Sequence, residues 1–151
     1  MRIGVETPNA EDVIALLQAH MLDMHATSPP ESVHALDVAA LNAPEITFFS
    51  ARRNGELLGC AAIKALEVGH AELKSMRTAP NARNQGVAAA LLTHLLEVAR
   101  SRGYHMVSLE TGSMAYFEPA RRLYEKFGFS YCEPFGSYQL DPHSCFMRLQ
   151  L

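Results

Sequence analysis

The chain has no long apolar run, no surplus of basic charge and no paired cysteine spacing. Each absence removes a class of protein. Its 13 Lys and Arg stand against 16 Asp and Glu, a formal net charge of −3. Non-specific nucleic-acid binding draws on a basic surface, so no nucleic-acid partner is expected. No stretch approaches the roughly 20 apolar residues that span a bilayer, and the N-terminus lacks the charged-then-apolar plan of a secretory leader. No membrane partner is expected. Cys60, Cys132 and Cys145 lie far apart and are odd in number. Without C-x-x-C spacing they suggest neither a disulfide framework nor a zinc site. No metal is expected, and a reducing cytoplasm is the simplest location. Repeats, low-complexity segments and linkers are also missing.

What is present is enough for one domain with one core: 151 residues, 48% of them hydrophobic. The chain is organised around Glu72 to Leu96, where a strand pattern gives way to a polar turn and then a long amphipathic helix. Pro80, Asn81 and Ala82 break the strand; Arg83, Asn84, Gln85 and Gly86 form the turn; from Val87 apolar residues recur at helical spacing. The first turn of a helix leaves backbone N–H groups unpartnered at its positive end, so such a turn can take an anion. Gly86 lets backbone approach a bulky ligand, Ala88 is nearly as small, and Arg83 adds a cation. A pyrophosphate is the natural guest. The turn is not a Walker loop, because no Gly-Lys-Ser/Thr closes it, and it is not G-x-G-x-x-G. Polar turns that bind only water are common, so the turn alone does not decide the matter.

Two motifs decide further. Arg83-x-x-Gly86-x-Ala88 resembles the Q/R-x-x-G-x-G/A signature of the GNAT superfamily of acyl-CoA-dependent N-acyltransferases. Ala120-Arg-Arg-Leu123-Tyr124-Glu-Lys126-Phe-Gly128-Phe129 resembles that superfamily's A-x-x-L-Y-x-K-x-G-F segment. The resemblance runs from about Arg2 to the C-terminus, leaving no room for a second domain. It is closest to a branch of small bacterial proteins sharing Ser28-Pro-Pro-Glu-Ser32, Leu109-Glu-Thr-Gly-Ser113 and a Pro134-Phe-Gly…Asp141-Pro142 tail. It implies an α/β (or α+β) fold: a mixed, mostly antiparallel sheet of about seven strands with a splayed parallel pair, flanked by about four helices.

The rest of the chain reads accordingly. Arg2 to Thr7 predicts a first strand, and Asn9 is placed to cap a helix reaching about His25. Pro29 and Pro30 stop that helix, and a short helix is expected from His34 to Leu41. Glu45–Arg52, Glu56–Val68 and Ala71–Thr78 predict a three-stranded meander, its first turn set by Asn54-Gly55. The helix from Gly86 to about Ser101 turns Val87, Leu91, Leu92, Leu95, Leu96 and Val98 to the sheet, with His94 in solvent. Tyr104–Glu110 predicts a strand parallel to the one before the helix. A helix from about Phe117 to Phe127 follows, then strands from Phe129 to Cys132 and Ser144 to Gln150.

The resemblance also implies roles. The cosubstrate is acetyl-CoA. Its pantetheine arm pairs with backbone at Met76, Arg77 and Thr78, and its pyrophosphate sits on N–H groups of Arg83, Asn84, Gln85, Gly86, Val87 and Ala88. Ala120 lines the arm, and Lys126 or Arg122 meets a phosphate. Many members carry Asn where this chain has Phe117, which the resemblance places among the cofactor contacts, with Tyr116 or Ser113 as substitutes for the asparagine's contact to pantetheine. Glu72 is the expected base and Glu110 the alternative carboxylate; a buried carboxylate has a raised pKa. The competing reading of Glu72 is a simple pairing with a neighbouring Lys or Arg. Tyr124 is the expected acid for the leaving thiolate, and the backbone N–H of Met76 or Arg77 the oxyanion donor. His25, Ser28, Glu31, His34, Glu110, Tyr138 and Asp141 are candidate acceptor contacts. Asp141 or Glu31 would attract an amine, while Arg77 would hold a carboxylate. The implied acceptor is a primary amine of a small molecule. A peptide N-terminus or lysine, and a non-catalytic acyl-CoA sensor, are the alternatives. Many members pair through sheet edges, which implies a homodimer.

Overall fold

The computed structural model describes residues 1–33 and 37–151. Seven strands form one sheet in the order β1-β2-β3-β4-β5-β7-β6. They are β1 (Arg2–Val5), β2 (Ile46–Arg53), β3 (Glu56–Glu67), β4 (His70–Thr78), β5 (Met106–Gly112), β6 (Ser130–Cys132) and β7 (Ser144–Gln150). The α-helices are α1 (Glu11–Thr27), α2 (Val38–Leu41), α3 (Val87–Ser101) and α4 (Glu118–Lys126). The expected mixed sheet is present, and β4–β5 is its parallel pair. The expected His34 and the start of its short helix lie outside the described residues.

Local chemistry sets these elements. Asn54 and Gly55 take φ of 52° and 82°, the doubly left-handed turn that matches strand twist, and β2 folds back on β3 with Arg53 opposite Glu56. On α3 the apolar positions recur at helical spacing, and Leu91, Leu92, Leu95 and Leu96 are at most 5% exposed. Burying each contributes about 1.5–3 kcal/mol relative to exposure. They pack α3 on β2, β3 and β4, while α1 packs Val13, Leu16 and Leu17 into the same core. Gly59 on β3 makes the close approach of α3 feasible. A Cβ there would lie 2.8 Å from the Arg77 carbonyl and 3.0 Å from a Val87 methyl.

Two local expectations are corrected. Asn9 does not cap α1: the cap position is Ala10, with no side-chain bond, and Asn9 exchanges amide hydrogen bonds with Asn42 instead. His94 is not in solvent but half-buried, its ring edge-on to Phe49 at 5.6 Å.

The feature that positions the site is where the parallel pair stops. β4 and β5 pair from His70↔Met106 to Leu73↔Leu109 and no further, though β4 runs on to Thr78 and β5 to Gly112. A bulge on β4 aids the divergence. Cys60 faces Arg77 and Ala62 faces Lys74, so Ala61 opposes two residues. One of those, Ser75, holds φ 55°, an uncommon conformation for a residue with a side chain.

Candidate active site

The turn before α3 has the backbone of an anion nest. Asn84 and Gly86 both lie in the left-handed region, at φ 61° and 79°. Gly86 is the cap residue, and among the described residues no side chain caps the helix, which leaves the first N–H groups of α3 open to a ligand. A Cβ built on Gly86 meets nothing within 4 Å. The turn residues Arg83, Asn84, Gln85 and Gly86 are all exposed. Arg83, Asn84, Gly86, Val87 and Ala88 line a groove of about 510 Å³ that continues along Met76, Arg77 and Thr78. The opposite wall is Tyr116, Phe117, Ala120 and Tyr124. Lys126 lies outside this lining, exposed on the last turn of α4, and Arg122 is held by Glu118 at 2.6 Å.

Phe117, the departure from the family's asparagine, has a packing role. Its ring covers Gly112 so closely that a Cβ there would fall 2.0 Å from it. Tyr116 stacks edge-on against Phe117 at 4.9 Å and lines the groove. Ser113 does not line it; its hydroxyl donates to the Pro142 carbonyl at 2.6 Å.

Past Met76 and Tyr124 the groove meets a smaller chamber of about 100 Å³ in the gap between β4 and β5. Glu72, Lys74, Ser75, Glu110 and Tyr138 supply its polar lining. Tyr124 lines both spaces. It is buried, its hydroxyl among the described residues meets only the Met76 sulfur at 3.9 Å, and burial with the nearby Glu110 charge holds the phenol protonated well above its ordinary range. The hydroxyl of Ser75, which also lines this chamber, is buried with no hydrogen-bond partner among the described residues.

The two carboxylates differ. Glu72 is 3% exposed, and its Oε2 lies 3.1 Å from Lys74 Nζ and accepts the Tyr138 hydroxyl at 2.6 Å. The pairing with a neighbouring lysine is therefore real. Glu110 has its pKa pushed up to about 7, chiefly by burial. Lys74 pulls it down, and the Glu72 and Asp141 charges push it further up.

A second cavity, of about 540 Å³, opens on the far side of Glu72, Lys74 and Tyr138. Glu31, Lys64, Phe135 and Asp141 also line it. Asp141 accepts the Ser32 hydroxyl at 2.5 Å and the His143 N–H at 2.8 Å, tying the Pro-Pro loop to the tail. His25 is exposed, and Ser28 ends α1 by donating its N–H to Met24; neither lines the three spaces described.

Arg77 corrects the reading of its side chain as an acceptor clamp. It is 8% exposed and bound to Asp23 of α1 at 2.6 Å. Beside it stands His20, which sequence reasoning missed. His20 lines both the groove and the chamber, and burial together with the Arg77 charge pushes its pKa down to about 4, so it is neutral. In sequence it is one polar position on an amphipathic helix; nothing local marks it.

Comparison with known proteins agrees with this geometry. Residues 13–129 match the Acetyltransferase (GNAT) family. The chain is 51% identical to the uncharacterized N-acetyltransferase YsnE of Bacillus subtilis, covering 100% of both. It is 37% identical to an IAA acetyltransferase of Azospirillum brasilense, covering 99% of this chain and 97% of that one. Among solved structures, a candidate acyl-CoA N-acyltransferase of Klebsiella pneumoniae superposes with a TM-score of 0.81 at 30% identity, covering 99% and 97% of the two chains. An aminoglycoside 6'-N-acetyltransferase complexed with coenzyme A shares the fold, with a TM-score of 0.73 at 17% identity over 99% and 97%. The chain belongs to the GNAT family and is an acetyltransferase.

Proposed function

We propose that the protein transfers the acetyl group of acetyl-CoA to the primary amine of a small molecule. One observation carries this reading: the gap that opens beyond Leu73 and Leu109 joins an anion nest on one side to a chamber holding Glu110 and Tyr124 on the other. The residues suit the cosubstrate. The nest at Asn84 and Gly86 is open, and the β4 edge from Lys74 to Thr78 has no β5 partner, leaving backbone for an extended arm to pair with. Ser75, whose buried hydroxyl has no hydrogen-bond partner among the described residues, lines the adjoining chamber.

Acetyl-CoA, when bound, supplies an activated acetyl thioester. The N–H groups at Arg83 to Ala88 hold its diphosphate, and Met76, Arg77 and Thr78 orient the arm. Glu110 takes a proton from the attacking amine nitrogen as that nitrogen bonds to the acyl carbon. Tyr124 gives a proton to the sulfur as the carbon–sulfur bond breaks, and recovers one from solvent. A carboxylate of pKa about 7 is matched to proton abstraction near neutrality, which favours Glu110 over the ion-paired Glu72. Glu72 then fixes Lys74 and Tyr138 at the mouth of the chamber.

Calorimetric titration with acetyl-CoA, CoA and dephospho-CoA tests the cosubstrate, and turnover with a panel of amines tests the reaction. Micromolar binding with acetyl transfer to small amines is expected. Folded protein that binds none of the three would overturn the reading.

A further inference from the structure

We propose that the acceptor amine also carries a carboxylate, and that Lys64 on the floor of the larger cavity holds it. This rests on the acyl-transfer reading above and specifies its substrate class. Lys64 on β3 stands opposite Glu72 on β4, and Glu72 opposite Ser108 on β5. Residues in register share a sheet face, and so do residues two apart on one strand. Lys64, Glu72, Lys74, Ser108 and Glu110 therefore project to one side.

Five charged side chains line the 540 Å³ cavity, and most are engaged within the protein. Glu72 and Lys74 neutralise each other at 3.1 Å. Asp141 receives two hydrogen bonds. Glu31 is exposed at the rim. Lys64 is half-buried and, among the described residues, has neither ion pair nor hydrogen bond. A half-buried ammonium with no direct partner among the described residues is open to pair with a ligand carboxylate. An acceptor bearing only an ammonium is drawn to Glu31 at the mouth, away from the transfer chemistry. One bearing a carboxylate is anchored at the floor, with its amine directed past Glu72 and Tyr138, which line both cavities, toward Glu110. Lys64 is two strand spacings from Ser108, roughly 10 Å between backbones, and Glu110 lies two residues, roughly 7 Å, further along β5. The lysine stem covers part of that distance, and a short carbon chain covers the rest.

The test compares linear ω-amino acids with n-alkylamines and diamines of equal length, as acceptors and as ligands of the CoA-loaded protein. The proteins are wild type, Lys64→Met and Lys64→Glu, each checked for folding by circular dichroism. At the best chain length the wild type should prefer the amino acid over the alkylamine at least tenfold in kcat/KM. Lys64→Met should bring that ratio near one, and Lys64→Glu should invert it in favour of the diamine. A wild-type ratio near one, a preference surviving Lys64→Met, or neither binding nor turnover of any amino acid overturns the proposal. Calorimetry with CoA separates the two failures. Retained CoA binding and amine acetylation without carboxylate preference sinks only the substrate class; loss of CoA binding in folded wild type sinks the acyl-transfer reading.

Discussion

Tyr138 donates its phenolic proton to Glu72 Oε2 at 2.6 Å, joining residues 66 positions apart. Lys74 Nζ closes a triangle, 3.1 Å from the same oxygen and 2.8 Å from the Tyr138 hydroxyl. Burial, reinforced by the Glu72 charge, holds the Tyr138 phenol protonated. The tail loop is thus latched over the strand that carries Glu72. Tyr138→Phe keeps the ring packing on Phe135 and Phe146 and removes the hydroxyl that bonds to Glu72 and Lys74. A loss of about 1–2 kcal/mol is expected, with the hydroxyl's bond to a buried charge as its source. Amide exchange in residues 133–143 should quicken and the acceptor KM rise, with CoA affinity unchanged. Unaltered exchange would show that the Ser32–Asp141 bond and the aromatic packing suffice to hold the loop.

Glu110→Gln separates stability from activity. Burial raises this carboxyl from an ordinary 4.5 to about 7. Below pH 4.5 it is neutral folded and unfolded, and the substitution changes little. Between pH 4.5 and 7 the unfolded chain ionises first, so the wild type loses stability as pH rises; above 7 the loss is complete. Glutamine cannot ionise, so the variant should be the more stable protein at pH 8, by up to about 3 kcal/mol before solvent screening reduces it. Acetyl transfer should move the other way, falling at least a hundredfold and losing the rising limb near pH 7. Paired thermal melts and rate profiles from pH 4 to 9 check both. A variant of unchanged rate would return the base to Glu72.

Tyr124→Phe removes a hydroxyl whose one hydrogen-bond partner among the described residues is a sulfur at 3.9 Å. A stability change under about 1 kcal/mol is expected, because no strong hydrogen bond is broken. If the hydroxyl protonates the leaving sulfur, kcat should fall about 10²-fold while CoA binds as before. Single-turnover rates and calorimetry on the same preparation measure the two effects. An equal loss of CoA affinity would instead assign the hydroxyl to binding.

The scaffold is legible in the sequence because its signals are local. The leucine spacing of α3, the Asn54-Gly55 turn and the Arg83-x-x-Gly86-x-Ala88 segment each declare themselves within a few residues, and the parallel pair follows from the strand–helix–strand order. What escaped is non-local. Arg77 reads as a free cation until α1 brings Asp23 to it. Asn9 has the chemistry of a cap but finds Asn42 in α2's neighbourhood instead. His20 and Lys64 acquire meaning only from the cavities that they line. Glu72 is marked in sequence by its place on a strand before the turn, and the structure buries it, yet its partner Tyr138 lies on a loop with no periodic pattern.

Gly86 offers a test in which the energetic cost and the functional cost have different sources. Its φ of 79° penalises any side chain, about 1 kcal/mol for alanine. Nothing lies within 4 Å of the added Cβ, so no core contact is disturbed. The space that the methyl enters is the groove's. If a diphosphate rests on these N–H groups, Gly86→Ala should weaken CoA at least tenfold for that small stability loss, and Gly86→Val should abolish detectable binding. Gly59→Ala is the contrast: its Cβ would fall 2.8 Å from the Arg77 carbonyl, so backbone must shift and the melting temperature should drop further. Calorimetry and thermal melts on the three variants read the outcome. Full CoA affinity in Gly86→Ala would place the phosphates elsewhere and leave the turn as a helix start alone.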